Sequence, residues 1–364
     1  MDHTHYMKLA ISMAEATLGQ TSPNPVVGSV VVKNGEIVGM GAHLKAGEGH
    51  AEVNAIKMAG DKAKGSDIYV TLEPCSHYGK TPPCSQMLIS SGVKRVHIAT
   101  RDPNPLVAGR GIQQLRDAGI EVVVGELEEE ARELNKHFFH FIQNGTPYVT
   151  LKTAVTLDGK TASASGDSKW ITSEASRTDV HYDRHRHDAI LVGVNTVIQD
   201  NPHLTTRLPQ GGKNPIRIIL DTYLRTPIHS HVVEDLESRT IIFTGSSVKE
   251  EQKNPYIDRG CEVFSLTDEK IGIRTVLKEL GSRKIASLYV EGGSTIHSAF
   301  LEERAFEEMI MYMAPKLVGG SAAFTSFGGK GFPTIAEGLE MEIASLDRVG
   351  QDIKIVARPK RESL

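Results

Sequence analysis

Three features of the chain predict a two-domain α/β protein. Its 364 residues exceed the length over which one ordinary core extends. Helix-period and strand-like segments alternate through both halves. Between the halves, a long helical segment runs into the breaker Asn144-Gly145-Thr146-Pro147, which places the domains at residues 1–145 and 146–364.

In the first half, Met7, Ala10, Ile11, Ala14 and Leu18 repeat at the spacing of one helix face, predicting a helix over 6–18. Val26 to Val32 and Ile37 to Met40 flank Lys33-Asn34-Gly35-Glu36, and Asn-Gly supplies the positive φ angles of a tight hairpin. Helices are expected at about 50–59, after Cys84 and near 112–118, and strands at 68–72, 95–100 and 120–124. A single helix over 126–143, acidic at its start as the helix dipole favours, closes the half. In the second half, strands are expected at 148–155, 189–194, 216–221, 240–244 and 287–290. An antiparallel pair, 339–346 and 352–357, follows, turning around Arg348-Val349-Gly350.

Composition narrows the functional classes. Hydrophobic residues make up 39% and charged residues 24%, with a net charge of -4 and no long basic run, so neither a nucleic-acid footprint nor a membrane surface is expected. No apolar stretch approaches the ~18 residues of a membrane span, and Met1-Asp2-His3-Thr4-His5 lacks the pattern of a signal peptide, which predicts a cytoplasmic protein. Three cysteines make no disulfide framework. Cys261 stands in a strand-like stretch as a buried apolar residue, whereas Cys75 and Cys84 lie close together downstream of a histidine and read as metal ligands.

His50-Ala51-Glu52, Pro74-Cys75 and Cys84 together supply one imidazole, two thiols and a carboxylate that is not needed as a ligand. Three protein ligands leave a fourth tetrahedral position open to water, the arrangement of a catalytic zinc. Zinc lowers the pKa of such a water to about 7, and Glu52 is placed to carry its proton to the ring nitrogen and the departing amine. His50 opens a predicted helix, Cys75 follows a strand and Cys84 opens the next helix, so two positive helix ends converge on the metal. His-x-Glu with Pro-Cys-x-x-Cys marks zinc nucleobase deaminases, but here eight residues, Ser76 to Pro83, separate the cysteines. The spacer carries Lys80 beside the metal, where it either meets a phosphate or is a solvated charge.

The first half resembles the deaminase half of the bifunctional riboflavin biosynthesis family, whose members couple a diaminohydroxyphosphoribosylaminopyrimidine deaminase to a 5-amino-6-(5-phosphoribosylamino)uracil reductase. The resemblance rests on Ser22-Pro23-Asn24-Pro25-Val26-Val27-Gly28, Gly49-His50-Ala51-Glu52, the stretch from Leu72 to Cys84, and Asp102-Pro103-Asn104-Pro105. The long cysteine spacer is that family's own variant. The resemblance implies zinc on His50, Cys75 and Cys84, Glu52 as proton shuttle, and Asn24, His43, Lys80, Asp102 and Asn104 as substrate contacts.

Two features of the second half need explaining. Ser287 to Thr295 reads as a buried strand, a Gly-Gly turn and a new helix whose N–H groups can cradle a pyrophosphate, although no Gly-x-Gly-x-x-Gly fingerprint occurs in the chain. Lys152 to Lys160 reads as a strand and turn, followed by a polar loop, Gly166 to Thr172, bearing the only tryptophan, Trp170, as a core anchor or a ligand contact. Both features are similar to the reductase half of the same family, which has a dihydrofolate-reductase-like fold. The resemblance therefore implies a cytidine-deaminase-like layered α/β/α domain followed by a dihydrofolate-reductase-like α/β domain.

It further implies NADPH near Ala154, Trp170, Thr196, Asp200 and the stretch Gly293, Ser294, Thr295, Ile296, His297, Ser298 and Ala299. Substrate is implied near Ser168, Arg184, Leu204, Arg207 and Glu291, with Lys152 a further polar group near the ribose. Arg184 and Arg207 suit phosphate because the guanidinium fork pairs with its oxygens. The implied activity is deamination of an aminopyrimidine ribose phosphate followed by reduction of its ribose, in a homo-oligomer acting on small molecules. The rivals are a nucleoside or nucleic-acid deaminase, which needs no second domain of this size, and a binding protein that has lost catalysis.

Overall fold

The computed structural model describes residues 3–78, 82–104 and 107–360. The chain forms two compact units, Met1–Gly145 and Thr146–Leu364.

The first unit runs α1 (His3–Glu15), β1 (Gly28–Lys33), β2 (Glu36–Ala42), α2 (Ala51–Ala59), β3 (Asp67–Leu72), α3 (Cys84–Ser91), β4 (Arg95–Thr100), α4 (Arg110–Asp117), β5 (Glu121–Val124), α5 (Glu128–Leu134) and α6 (Lys136–Asn144). Its sheet has the order β2-β1-β3-β4-β5, with β1 antiparallel to both neighbours and β3, β4 and β5 parallel. The hairpin turns at Asn34 and Gly35 with φ of 52° and 85°, the left-handed pair expected of Asn-Gly. Side chains alternate across the sheet. Val31, Ile68 and Val70 pack with α2, Leu88 of α3 and Leu115 of α4, while Val30, Val32 and Tyr69 pack with Met7 and Ala10 of α1 and Ala131 of α5. The result is an α/β/α sandwich in which β3 carries the chain straight into the cysteine segment.

One element departs from expectation. The helix expected over 126–143 is two helices that meet at Asn135. The Asn135 side chain is turned inward, accepting from the Val26 N–H and donating to the Val26 carbonyl, both at 2.9 Å. Those two buried bonds tie the turn before β1 to the break between the helices, an advantage over a continuous helix that local periodicity does not register.

His97 on β4 is 3% exposed, and its ring is stacked on His3 at 4.6 Å and on Tyr69 at 4.4 Å. Neither ring nitrogen has a hydrogen-bond partner among the described residues. Burial, with the neighbouring His3, lowers its pKa to about 4. The folded protein keeps this imidazole neutral while an unfolded chain takes up a proton as pH falls through about 6.5, so stability is full above that pH and drains away toward pH 4. His97→Phe should remove this component. In urea unfolding at pH 7.5 and 4.5, the wild-type protein should lose about 1–2 kcal/mol more than the variant on acidification; equal losses would refute the assignment.

The second unit contains β6 (Tyr148–Thr156), β7 (Lys160–Ala162), α7 (Glu174–Arg186), β8 (Ala189–Gly193), α8 (Val194–Asp200), β9 (Ile216–Leu220), α9 (His231–Glu234), β10 (Thr240–Thr244), α10 (Glu250–Ile257), β11 (Glu262–Ser265), α11 (Ile273–Ser282), β12 (Ser287–Gly292), α12 (Ser294–Glu302), β13 (Glu308–Ala314), β14 (Phe324–Thr325), β15 (Met341–Val349) and β16 (Asp352–Pro359). Nine strands form one sheet in the order β11-β10-β9-β8-β12-β6-β13-β16-β15. It is parallel from β11 to β13, and β16 and β15 close it antiparallel. Strands such as Ala189–Gly193 and Thr240–Thr244 are buried at every position, as a parallel sheet covered on both faces requires.

Strand β13, absent from the sequence expectation, pairs with both β6 and β16, so it joins the parallel and antiparallel parts of the sheet. Its sequence, EMIMYMA, alternates buried and half-buried positions, but three of its apolar side chains are methionines, which carry little strand preference. Cys261 is buried one residue before β11.

Candidate functional site

In the first unit, the metal-ligand candidates come from three short-range elements. His50 caps α2 in extended conformation, Cys84 is the first residue of α3, and Cys75 lies just beyond the end of β3. The His50 Nδ1 lies 3.2 Å from the Cys84 Sγ and 3.6 Å from the Cys75 Sγ. Tetrahedral bonds of about 2.0–2.3 Å place neighbouring donor atoms roughly 3.5 Å apart, so this donor set fits a zinc ion. The Cys84 backbone N–H, the first of its helix, points at the Cys75 sulfur at 3.3 Å. Hydrogen bonds from the Cys84 thiol and from His50, working against burial, hold the Cys75 thiol down at about 4. The bond to Cys75 and burial push Cys84 up in turn. His50 is raised chiefly by its bond to Cys75.

Glu52 is 3% exposed on the first turn of α2. Burial raises its pKa against the pull of His50, the environment that lets a carboxyl group carry a proton near neutral pH. A cavity of about 240 Å³ opens onto His50, Glu52 and Cys75, and its wall includes Asn24, His43, Asp102 and Asn104. His43, kept neutral mainly by burial, donates its Nδ1–H to the Gly49 carbonyl at 3.2 Å, leaving Nε2 to accept from Asn24 Nδ2 at 3.2 Å. Burial raises Asp102 to about 6, while its Oδ1 accepts the Asn104 N–H at 2.8 Å.

Four of the five expected substrate contacts therefore share one wall with the metal-ligand candidates, and the fifth, Lys80, lies outside the described residues. The sequence reading missed Glu73, His77 and Phe138, which also line the cavity. Glu73, directly before Pro74-Cys75, was open to detection from its place in the motif. Phe138 arrives from α6, and nothing local announces it.

In the second unit, Lys152 on β6, Arg184 on α7 and Glu291 on β12 converge. Arg184 donates Nε and Nη2 to the Glu291 carboxylate at 2.6 and 3.0 Å and Nη1 to the Thr205 carbonyl at 2.9 Å; the Lys152 Nζ lies 3.9 Å from Glu291. Three of the five guanidinium N–H groups are thus taken by Glu291 and Thr205. Burial pushes Glu291 up, but Arg184 and then Lys152 outweigh it and bring it to about 2. Arg207 is exposed, and its pKa is lowered by partial burial and by the charge of Arg184. Leu204 is 2% exposed and packs in the core with Val180, Val192 and Val197.

The Gly-Gly turn lies where the sequence places it, with Gly293 capping α12. A Cβ on Gly293 would stand 3.6 Å from the Thr196 Oγ1 of α8, and one on Gly328 3.5 Å from the Ser294 Oγ. Both are ordinary van der Waals distances, so there is room for about a methyl group beside the start of α12, whose N-terminal backbone N–H groups are of the kind that suit an anion such as pyrophosphate. Around it, His297 is buried with its ring nitrogens 3.3 and 3.2 Å from the Val290 and Ser326 carbonyls, one of which takes its single N–H, and the Ser298 hydroxyl donates to the Gly328 carbonyl, so the turn and helix start offer backbone N–H groups and the Ser294 and Thr295 side chains. Ala154 and Ser168 are half-buried, Asp200 is exposed at the end of α8, and Trp170 is 62% exposed with Arg177 stacked 4.6 Å above its ring. Trp170 is not a core anchor. Its ring is mostly exposed, with one face covered by the Arg177 guanidinium.

Residues 1–100 match the family model of the cytidine and deoxycytidylate deaminase zinc-binding region, and residues 147–355 match that of the RibD C-terminal domain. The riboflavin biosynthesis protein RibD of Bacillus amyloliquefaciens is 52% identical over 98% of this chain and 96% of its own length. This chain belongs to the RibD family. The RibD of Aquifex aeolicus is 48% identical over 96% of this chain and 97% of its own. Among solved structures, Acinetobacter baumannii RibD superimposes with a TM-score of 0.89 at 40% identity, covering 98% of this chain and 99% of that one. A deaminase/reductase of Thermotoga maritima gives 0.89 at 39% identity, covering 98% of each. As a RibD, the chain is a bifunctional enzyme of riboflavin biosynthesis with a zinc-dependent deaminase and an NADPH-dependent reductase. No helix among the described residues is long and apolar enough to cross a membrane.

Proposed function

We propose that the first unit hydrolytically deaminates 2,5-diamino-6-(5-phosphoribosylamino)pyrimidin-4(3H)-one, and that the second reduces the ribosyl group of the resulting 5-amino-6-(5-phosphoribosylamino)uracil to ribityl. The observation that carries this reading is the single cavity that joins His50, Cys75 and Glu52 to Asn24, His43, Asp102 and Asn104. His50, Cys75 and Cys84 would hold the zinc, which would supply the Lewis acidity that makes water a nucleophile at neutral pH. Glu52 would pass one proton from the attacking water to the ring nitrogen and then the second, from the newly formed hydroxyl, to the amine, which leaves as ammonia. The Asn24–His43 pair is fixed by the Gly49 carbonyl and orients the ring, and Asp102 and Asn104 meet its polar edge. Lys80 is assigned to the phosphate.

In the second unit, the cradle at Gly293 to Ala299, with Ala154, Trp170, Thr196 and Asp200, holds NADPH, which supplies the hydride. Lys152, Ser168, Arg184, Leu204, Arg207 and Glu291 surround the substrate. Arg207 and the two remaining N–H groups of Arg184 hold its phosphate, and Lys152 polarises the ribose end. The same reading makes the protein a cytoplasmic homo-oligomer. The open edge strand β15, with Ile343 and Leu346 60% and 62% exposed, supports association, and light scattering checks it.

The deciding experiment supplies the diaminopyrimidine substrate with and without NADPH and follows ammonia release and NADPH oxidation separately. Ammonia should appear in both cases, and NADPH should be consumed only after it. Stripping the metal with a chelator should abolish ammonia release while NADPH oxidation on added uracil substrate continues. A chelated enzyme that still released ammonia would overturn the metal assignment.

A further inference from the structure

Glu73 occupies the last position before the Pro74-Cys75 pair and is 3% exposed. Its Oε2 accepts the Asp102 N–H at 3.3 Å and the Gly109 N–H at 3.0 Å, and its Oε1 accepts the Ile112 N–H at 3.2 Å. Although it borders the cavity, both of its oxygens are committed to backbone on the far side of the substrate wall. The same two segments meet again nearby. A Cβ on Gly111 would lie 2.1 Å from the Pro74 carbonyl oxygen, so α4 rests directly on the backbone of the cysteine segment. The Ser85 hydroxyl lies 3.1 Å from the Cys75 carbonyl and 2.6 Å from the Gln114 Oε1 of α4. The segment bearing a metal ligand and the segment bearing Asp102 and Asn104 are therefore joined by one buried carboxyl group and a glycine-width backbone contact.

We propose that Glu73 is a positioning residue for deamination: it sets the distance and angle between the metal site and the Asp102–Asn104 wall, and so acts on the substrate's ring through Asp102. The inference rests on the proposed role of Asp102 as a substrate contact. A carboxyl group suits the task because it presents two acceptor oxygens in one plane, which an amide does not, and a buried site keeps the three bonds strong. Displacing a substrate-orienting wall by about 1 Å costs as much as 10²-fold in rate.

The test measures deaminase kinetics and zinc content in the full-length protein for Glu73→Gln, Glu73→Ala, Gly111→Ala and Asp102→Ala, using reductase turnover on the uracil substrate as the folding control. Glu73→Gln should raise the deaminase KM about tenfold and Glu73→Ala should lower kcat/KM about 10²-fold, mainly through KM, with one zinc retained and reductase turnover unchanged. Gly111→Ala, whose Cβ meets the Pro74 carbonyl oxygen and stands 3.3 Å from the Glu73 Oε1, pushes α4 off the cysteine segment while the Glu73 carboxyl group is retained, and should reproduce the KM effect. If Asp102→Ala raises KM while the Glu73 and Gly111 variants leave it unchanged, the positioning role falls and the Asp102 assignment stands. If Asp102→Ala has no effect, both fall. Zinc loss in the Glu73 variants would assign the residue to metal binding and overturn the proposal.

Discussion

Glu52→Gln should lower the turnover of deamination by about 10²–10⁴-fold, the usual contribution of a positioned proton carrier, while zinc content and reductase turnover stay at wild-type values. The substitution keeps the shape of a side chain that is 3% exposed, so packing is preserved, but it removes the only carboxyl group on the first turn of α2. Burial raises the pKa of Glu52, which favours a carboxyl group that exchanges a proton, and a glutamine amide does not. The measurement is ammonia release under saturating substrate, with metal analysis on the same sample. A variant whose kcat stays within threefold of wild type, with zinc bound, would remove Glu52 from the reaction.

Arg184→Ala should abolish ribose reduction and destabilise the second unit by about 3–5 kcal/mol, because it leaves a buried carboxylate with a single, more distant cation. The Arg184 and Glu291 side chains are each 11% exposed, and Lys152 stands 3.9 Å from the carboxylate. In a unit of this size each kcal/mol shifts the melting temperature by about 2–4 °C, so the reductase transition should fall by about 10 °C. The acid response should change as well. Glu291 has its folded pKa depressed to about 2, so its contribution is complete above the unfolded value near 4.5 and is lost as pH falls toward 2. The variant should lack most of that acid-labile component. Arg184→Met combined with Glu291→Leu should be less destabilising than the two single changes added together, since the orphaned charge disappears. Additive losses, or a melting point unchanged by Arg184→Ala, would contradict the pairing.

Much of the candidate site was legible because its signals are short in range. His50 and Glu52 are two residues apart, and Cys75 and Cys84 sit at the junctions of a strand and a helix that hydrophobic pattern already places. The Gly-Gly turn, the Asn34-Gly35 hairpin and the buried strand Ile216–Leu220 were readable for the same reason: each depends on a backbone preference or a burial pattern contained within a few residues. The break at Asn135 was not readable, since it depends on Val26, 109 positions away. Strand β13 was hidden by its methionines, and its place between β6 and β16 comes from pairing rather than propensity.

By itself, the sequence determined that this protein has two α/β halves, which residue types face a metal, and where a glycine turn opens a helix, because periodicity, turn chemistry and ligand spacing act over a handful of neighbours. Only the tertiary structure decided that Arg184 meets Glu291 across 107 positions, that Trp170 is mostly exposed, and that Glu73, at the edge of the cavity, accepts the backbone N–H groups of Asp102, Gly109 and Ile112. Those outcomes follow from burial. A charge or polar group removed from water takes whichever partner the fold brings to it, and no local pattern names that partner in advance.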